Sequence, residues 1–329
     1  MSRLLWLLLL VPPFYLDGFW LQAGLFAMAA AVGAIGLNLL TGATGQLSMG
    51  HAFFLAVGAY GYTYWAGEGM PPLLAAILSV LLAGIAGLAF SPISGRLGGV
   101  NLGIATLGLV FVGQHVLFNA EDVTGGVNGK AVPPFELFGF VFDGTEPLNV
   151  LGIPFGQQEK LWFLGLAVLG LAAWFAAGVL GGRPGRALNA VRDHRIAAGV
   201  MGVPVARYRA SVFVLSSMYG GLAGVLIALA FQRTVPDYFG ITLSLDYLAM
   251  IVIGGLGSVR GAVVGALVVT LLPQMLTHYS DALPESLSPA SAARLLYGTA
   301  VVVIVLFLPG GLSRLSLPTP TPRPKETPA

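Results

Sequence analysis

Long apolar runs separated by short polar breaks set the pattern of this chain. A helix rises ~1.5 Å per residue, so about 20 apolar residues cross the ~30 Å hydrocarbon core of a bilayer. Runs that approach this length lie at residues 19–40, 46–65, 73–93, 102–118, 161–180, 210–230 and 295–308. Residues 4–16 form a shorter apolar run behind Arg3. No small-residue cleavage site follows it, so it reads as a retained first span, tilted or peripheral, and not as a signal peptide. Residues 245–253 are too short for an ordinary span and lead into GGLGSVRGAVVGALVV, with Gly254, Gly255, Gly257, Gly261 and Gly265. That stretch is either one helix broken near residues 254–261 or two short spans meeting at Arg260. The pattern predicts an all-α polytopic membrane protein with about eight to ten transmembrane segments, some of them interrupted.

The polar breaks differ in kind. Residues 119–160 carry Glu121, Asp122, Glu136, Asp143, Glu146 and Glu159 against only Lys130 and Lys160. Acidic and without arginine, this region reads as an extracytoplasmic loop, with a small hairpin expected over 135–149. Residues 183–209 hold Arg183, Arg186, Arg192, Arg195, Arg207 and Arg209, six of the sixteen basic residues. Pro184 opens a short helical pattern there, and Gly202 and Pro204 close it. An arginine-loaded helix between membrane spans belongs in the cytoplasm, where it offers a surface through which another protein can act. With both termini inside, twelve of the sixteen basic residues and only Asp193 and Glu326 among the acids fall on the cytoplasmic side. Residues 1–313 then form one transmembrane domain, and 314–329 a flexible, proline-rich cytoplasmic tail.

Polar residues also interrupt the apolar runs themselves. Asn38, Thr41, Thr44, Gln46, Ser48 and His51 cluster in one stretch, with Gly42, Gly45 and Gly50 between them. Residues 41–45 are placed at the cytoplasmic edge, ahead of the span at 46–65. Lipid cannot satisfy such groups, so they face protein or a water-filled cavity. Two readings stand: they cement helix packing, or they line or gate a path.

Composition sharpens the class. The chain is 56% hydrophobic and 9% charged, with mean hydropathy +0.85, where a soluble domain carries about 25% charged residues. The net charge of +2 reflects where the arginines sit and implies no nucleic-acid partner. Without cysteine there is no disulfide, thiolate chemistry or cysteine metal site. The four histidines are dispersed, so no metal site is expected. GVNGK at 126–130 has the wrong spacing for a phosphate loop, and Ala131 stands where Ser or Thr is needed. No zinc-protease pattern and no carboxylate pair within a span appear, so neither a catalytic residue nor a bound cofactor is expected. A solute could still be moved if a partner supplies energy mechanically.

Five separated stretches carry a resemblance. They are GLNLLTGATGQLSMGHAFFLAVGAY (36–60), LGIATLG (102–108), DVTGGVNG (122–129), ALNAVRDHRIAAGVMGVPVARYR (187–209) and DYLAMIVIGGLGSVRGAVVGA (246–266). Together, and in this order, they resemble the LivM-type permeases of branched-chain amino acid ABC importers, over roughly residues 19–308. Ala197, Ala198 and Gly202 match the Ala-Ala-x-x-x-Gly part of the loop signature of ABC importer permeases. Ile196 stands where that signature usually has glutamate.

The resemblance implies a permease fold of the LivH/LivM type in a bacterial inner membrane. It implies a LivH-type second permease, two cytoplasmic ATPases that bind ATP and Mg, and a periplasmic binding protein that delivers leucine, isoleucine or valine. A coupling helix at about 184–201 would transmit motion from the ATPases, with Arg186, Arg192, Arg195, Ala197, Ala198 and Gly202 at the contact. Asn38, Gln46, Ser48, His51 and Thr106 would lie near the translocation path. Related permeases carry urea, short-chain amides or other amino acids, which leaves those cargoes as the alternative. A scaffold or receptor subunit, the remaining class, predicts no ATP-dependent uptake.

Overall fold

Helix α1 (Gly18–Thr44) is the post around which the other helices gather. Its run of Ala, Leu and Gly has no proline, and it stops where Gly45 turns left-handed (φ 68°) and donates to the Thr41 carbonyl. The computed structural model describes residues 9–144, 148–150, 153–279, 289–307 and 310–315. After α1 come α2 (His51–Gly67), α3 (Pro72–Arg96), α4 (Val100–Asn119) and α5 (Gln157–Gly181). Two short helices, α6 (Arg183–Asp193) and α7 (Arg195–Val200), precede α8 (Val205–Phe231). The chain then forms α9 (Ile241–Gly254), α10 (Val259–His278) and α11 (Pro289–Phe307).

Six of these, α1, α3, α4, α5, α8 and α10, are long and apolar enough to cross a membrane. Helices α2, α9 and α11 complete the bundle among the described residues. Burial separates centre from rim. In the most apolar stretch of α1, 89% of positions are buried, and 72% in α8, but only 28% in α3, α4 and α5. Helix α8 packs along α1, α2 and α3, so α1 and α8 form the axis, α2 is enclosed beside them, and α3, α4 and α5 lie at the rim.

Glycines set the closest crossings. A Cβ on Gly58 would overlap the backbone of Gly221, and one on Gly87 would overlap Ser217. Lipid is as apolar as a leucine side chain, so close van der Waals packing holds such helices together.

The glycine-rich stretch after residue 245 resolves into two helices. Helices α9 and α10 fold back on each other as a hairpin, with Gly254 against Gly261 and Met250 against Gly265. Gly255 (φ 111°) and Gly257 (φ 80°) make the tight tip. At ~1.5 Å per residue, the 14 residues of α9 reach about 21 Å, short of a full crossing. The tip ends against Asn38, inside the bundle.

Three boundaries differ from the sequence pattern. The run at 46–65 is not wholly helical, because α2 begins only at His51 and residues 45–50 are unwound. The described part of 4–16 is a turn followed by a one-turn 3-10 helix, Pro12–Phe14, since consecutive prolines remove the donors an α-helix needs. Residues 1–8 and the tail at 316–329 lie outside the described residues. The region 119–160 forms two small hairpins instead of one, and its first strand pairs outside it. Strand β1 (Lys130–Ala131) pairs with β6 (Arg233–Thr234), β2 (Glu136–Leu137) with β3 (Phe140–Val141), and β4 (Leu148–Val150) with β5 (Ile153–Phe155), all antiparallel.

Candidate functional site

Gln46, Ser48 and Gly50 of the unwound segment are buried and Leu47 and Met49 half-buried, so the backbone there needs partners that a helix would have supplied. Side chains from other helices provide them. Thr106 on α4 accepts from the Met49 N–H at 2.9 Å, and Ser244 on α9 accepts from the Ala52 N–H at 3.0 Å. Ser48 accepts from the Gly50 N–H at 3.3 Å. His51 Nε2 donates to the Gly33 carbonyl at 2.9 Å, which fixes the tautomer, because a carbonyl only accepts. Its ring meets Tyr247 edge-on, 5.0 Å between centroids.

Gln46 Nε2 donates to Thr44 Oγ1 at 3.0 Å and to the Arg209 carbonyl at 3.3 Å. Gln46 Oε1 is buried without a hydrogen-bond partner among the described residues. Gln46, Ser48, His51 and Thr106 therefore meet in one buried seam between α1, α2, α4, α8 and α9. Ser244 belongs to it as well. The sequence signal for Ser244 was faint, a single hydroxyl in an apolar run.

Asn38 sits apart from that seam, at the tip of the α9–α10 hairpin. Its Nδ2 donates to the Ser258 carbonyl at 2.8 Å and to the Gly255 carbonyl at 3.4 Å. Its Oδ1 accepts from the Gly257 N–H at 2.8 Å. One amide thus occupies both edges of the tip. Gly42, one helical turn further along α1, touches the same tip, where a Cβ would overlap the Gly257 nitrogen.

The arginine-rich loop is an elbow. The single helix expected at about 184–201 is two helices, separated by an extended His194 (φ −154°, ψ 95°). Helix α6 is amphipathic: Leu188 and Val191 are fully buried, and Gly185 abuts the Leu180 carbonyl. Helix α7 turns outward. It buries Ala198 and leaves Ile196 (77%), Val200 (84%) and the following Met201 (82%) exposed. Arg186, Arg195, Ala197 and Gly202 are also exposed, and Gly202 ends the elbow at φ 85°. Arg192 reaches inward, donating from Nη1 to the Gly42 carbonyl at 2.9 Å and from Nε to Asp193 at 3.0 Å.

Arg209 behaves unlike its neighbours in the sequence. It is buried near the start of α8 and donates to the Gly95 carbonyl at 2.7 Å and the Leu97 carbonyl at 2.6 Å. A guanidinium suits the carbonyl end of α3, where the helix dipole is negative.

A cleft of about 410 Å³ between α3, α5 and α8 is lined by apolar side chains, among them Leu73, Val80, Phe135, Leu164 and Leu222. It has no polar side chain to orient a charged solute, in contrast to the polar seam. Among the described residues, no group of three or more His, Asp or Glu is placed to hold a metal ion.

Apolar helices around two buried posts, an unwound polar segment between them, and an amphipathic elbow at one end make this a multi-pass membrane permease. Residues 21–307 match the family described as branched-chain amino acid transport system / permease component, and the chain belongs to that family. The high-affinity branched-chain amino acid transport system permease protein LivM of Escherichia coli K12 is 27% identical over 326 residues, covering 93% of this chain and 72% of that protein. LivM of Salmonella typhimurium is 28% identical over 298 residues, with 86% and 67% covered. LivH of Escherichia coli K12, a permease of the same transport system, is 27% identical over 124 residues, 37% of this chain and 39% of LivH. The five motif stretches lie within the matched residues, so the resemblance drawn from them holds.

Proposed function

We propose that this chain is one of two related permeases in an ATP-driven importer that carries leucine, isoleucine and valine across a bacterial inner membrane. A LivH-type permease supplies the other half of the path. Two cytoplasmic ATPases, which bind ATP and Mg, drive it, and a periplasmic binding protein delivers the cargo. This chain hydrolyses nothing itself; its part is to hold and switch the path.

The elbow is the observation that carries this reading. Helix α6 is locked onto the bundle by buried Leu188 and Val191, while α7 holds Ile196, Val200 and Met201 away from it. Exposed apolar side chains on a polar, arginine-bearing loop suit a protein cleft better than water. The positive-inside pattern favours the elbow and both termini in the cytoplasm, where ATP is. Lipid covers the outer faces of the rim helices. The path is proposed to run beside the unwound segment, where Gln46, Ser48, His51 and Thr106 gather, and past Asn38 at the hairpin tip. Gln46 Oε1 has capacity for a further hydrogen bond there. Arg186, Arg195, Ala197 and Gly202, all exposed, frame the ATPase contact, while Arg192 and Ala198 of the same loop turn to the bundle behind it.

The test is purification of the complex in mild detergent, followed by reconstitution and uptake of labelled leucine, urea and acetamide with and without ATP. A second permease, two ATPases and ATP-dependent leucine uptake are expected. Uptake of urea or acetamide alone would keep the machine and change the cargo. Recovery of this chain without any ATPase, from intact membranes as well, would overturn the reading of α7.

A further inference from the structure

We infer that Asn38 and Arg192 are positioning residues in series, which carry the movement of the elbow into the tip of the α9–α10 hairpin. The inference rests on the ATP-driven reading above for its purpose, but the connection is a matter of contacts.

Arg192 lies on α6, and its Nη1 donates to the Gly42 carbonyl at 2.9 Å. The same guanidinium borders the hairpin tip, since a Cβ on Gly257 would lie 3.8 Å from Nη1 and 3.6 Å from the Gly42 oxygen. Gly42 is four residues beyond Asn38, so both lie on one face of α1. Asn38 grips the tip from that face, accepting from Gly257 N–H and donating to Ser258 O, each at 2.8 Å. On its other side the tip meets Gly311, where a Cβ would lie 2.5 Å from both Gly255 N and Gly255 Cα. Elbow, end of α1 and hairpin tip are therefore one contiguous set of polar contacts.

The chemistry of each part suits transmission. Helix α7 is joined to α6 through the extended His194 and to α8 through residues 201–204, so α6 is one of two routes by which a load on α7 reaches the bundle. Helix α6 enters the bundle by Leu188 and Val191, which hold its position, and by Arg192, which bonds to the end of α1 and borders the hairpin tip. The hairpin can respond as a unit. Its two helices are in backbone contact at Gly254–Gly261 and Met250–Gly265, and its far end, at α9, carries Ser244 against the first turn of α2, directly after the unwound segment. A shift at the tip is thereby linked to the polar seam beside the proposed path.

The experiment uses the reconstituted complex with Asn38→Ala, Arg192→Gln, the double variant and Arg192→Lys. Leucine taken up per ATP hydrolysed is the first readout, with complex yield and thermal midpoint as controls. Each single variant is expected to assemble, hydrolyse ATP and lose uptake per ATP roughly tenfold. The double variant should fall no lower than the weaker single, because residues in series share one interaction. Arg192→Lys, which keeps a cationic donor, should recover part of the loss.

The second readout is hydrogen exchange in peptides covering residues 254–262. Arg192→Gln should speed exchange there several-fold, although Arg192 makes no hydrogen bond to the Gly257 amide. This measurement decides the connection even if Asn38→Ala fails to assemble or the wild type shows no ATP-driven uptake. The latter outcome would sink the functional reading alone. Unchanged exchange at the tip, uptake and hydrolysis falling in proportion, or losses that multiply in the double variant would each overturn the inference.

Discussion

Gly224 of α8 and Leu55 of α2 are in backbone contact: a Cβ on Gly224 would overlap the Leu55 carbonyl oxygen. Backbone on backbone leaves no flexible side chain to give way. Gly224→Val is therefore expected to destabilise the bundle by about 3 kcal/mol or more, at the upper end for overpacking. Gly178 on α5 is the control, because nothing lies within 4 Å of a Cβ built there. Gly178→Ala should stay within about 0.5 kcal/mol of wild type. Thermal unfolding in detergent, followed by loss of monodisperse protein, separates the two.

Thr106 tests whether the polar seam is structural. Its hydroxyl accepts from the Met49 N–H at 2.9 Å and donates back to its own helix, at Leu102 or Gly103. Thr106→Val keeps the shape and removes the acceptor, leaving the Met49 amide without it. The expected cost is about 1–3 kcal/mol, the penalty of an unpaired buried donor. Thr106→Ser should recover most of it. A Val variant as stable as wild type but deficient in uptake would instead assign the hydroxyl to the solute.

The membrane helices were legible because hydrocarbon imposes one requirement, a long apolar run. The span read at residues 73–93 is α3, Pro72–Arg96, and that at 161–180 is α5, Gln157–Gly181. Hydropathy cannot tell a buried helix from a buried unwound strand. Leu47 and Met49 read as membrane residues and are, yet they are not helical. Gly45 and Gly50 at either end were the available signal. The elbow was harder, since Asp193 and His194 include neither proline nor glycine. The break arises because α6 must bury Leu188 and Val191 while α7 turns away. The polar residues themselves were legible as a group, but the pairing of Asn38 with a tip some 220 residues away needs the fold.

Arg209 was counted with the loop arginines, and charge counting could not show that α8 begins four residues before it. Its two carbonyl bonds at 2.7 and 2.6 Å tie α8 to the end of α3. Arg209→Gln is expected to cost about 2–3 kcal/mol, in the range of a hydrogen bond to a charged group. Arg209→Lys should fall between, since an ammonium keeps the charge but lacks the planar fork. The midpoint of thermal unfolding orders the three proteins. Equal midpoints for Gln and wild type would show that the bonds contribute nothing net.

The elbow predicts opposite phenotypes from its two short helices. Leu188 of α6 is fully buried, so Leu188→Ala should cost about 2–5 kcal/mol and reduce the amount of folded chain. Val200 is 84% exposed, so Val200→Asp should leave the stability of the isolated chain within about 0.5 kcal/mol. If α7 seats in an ATPase cleft, the same Asp variant buries an unpaired charge in the assembled complex. Affinity for the ATPase should then drop about thirtyfold, the ~2 kcal/mol of an interface anchor. Arg186 lies exposed on α6 and serves as the rim control. Arg186→Ala should slow association mainly at low salt, as a steering charge does. Co-purification of the ATPases at two salt concentrations, beside the thermal midpoint of the chain alone, reads all three. Were Val200→Asp to retain the ATPases at full strength while Arg186→Ala released them at every salt concentration, the arginine face and not the apolar knob would be the docking surface.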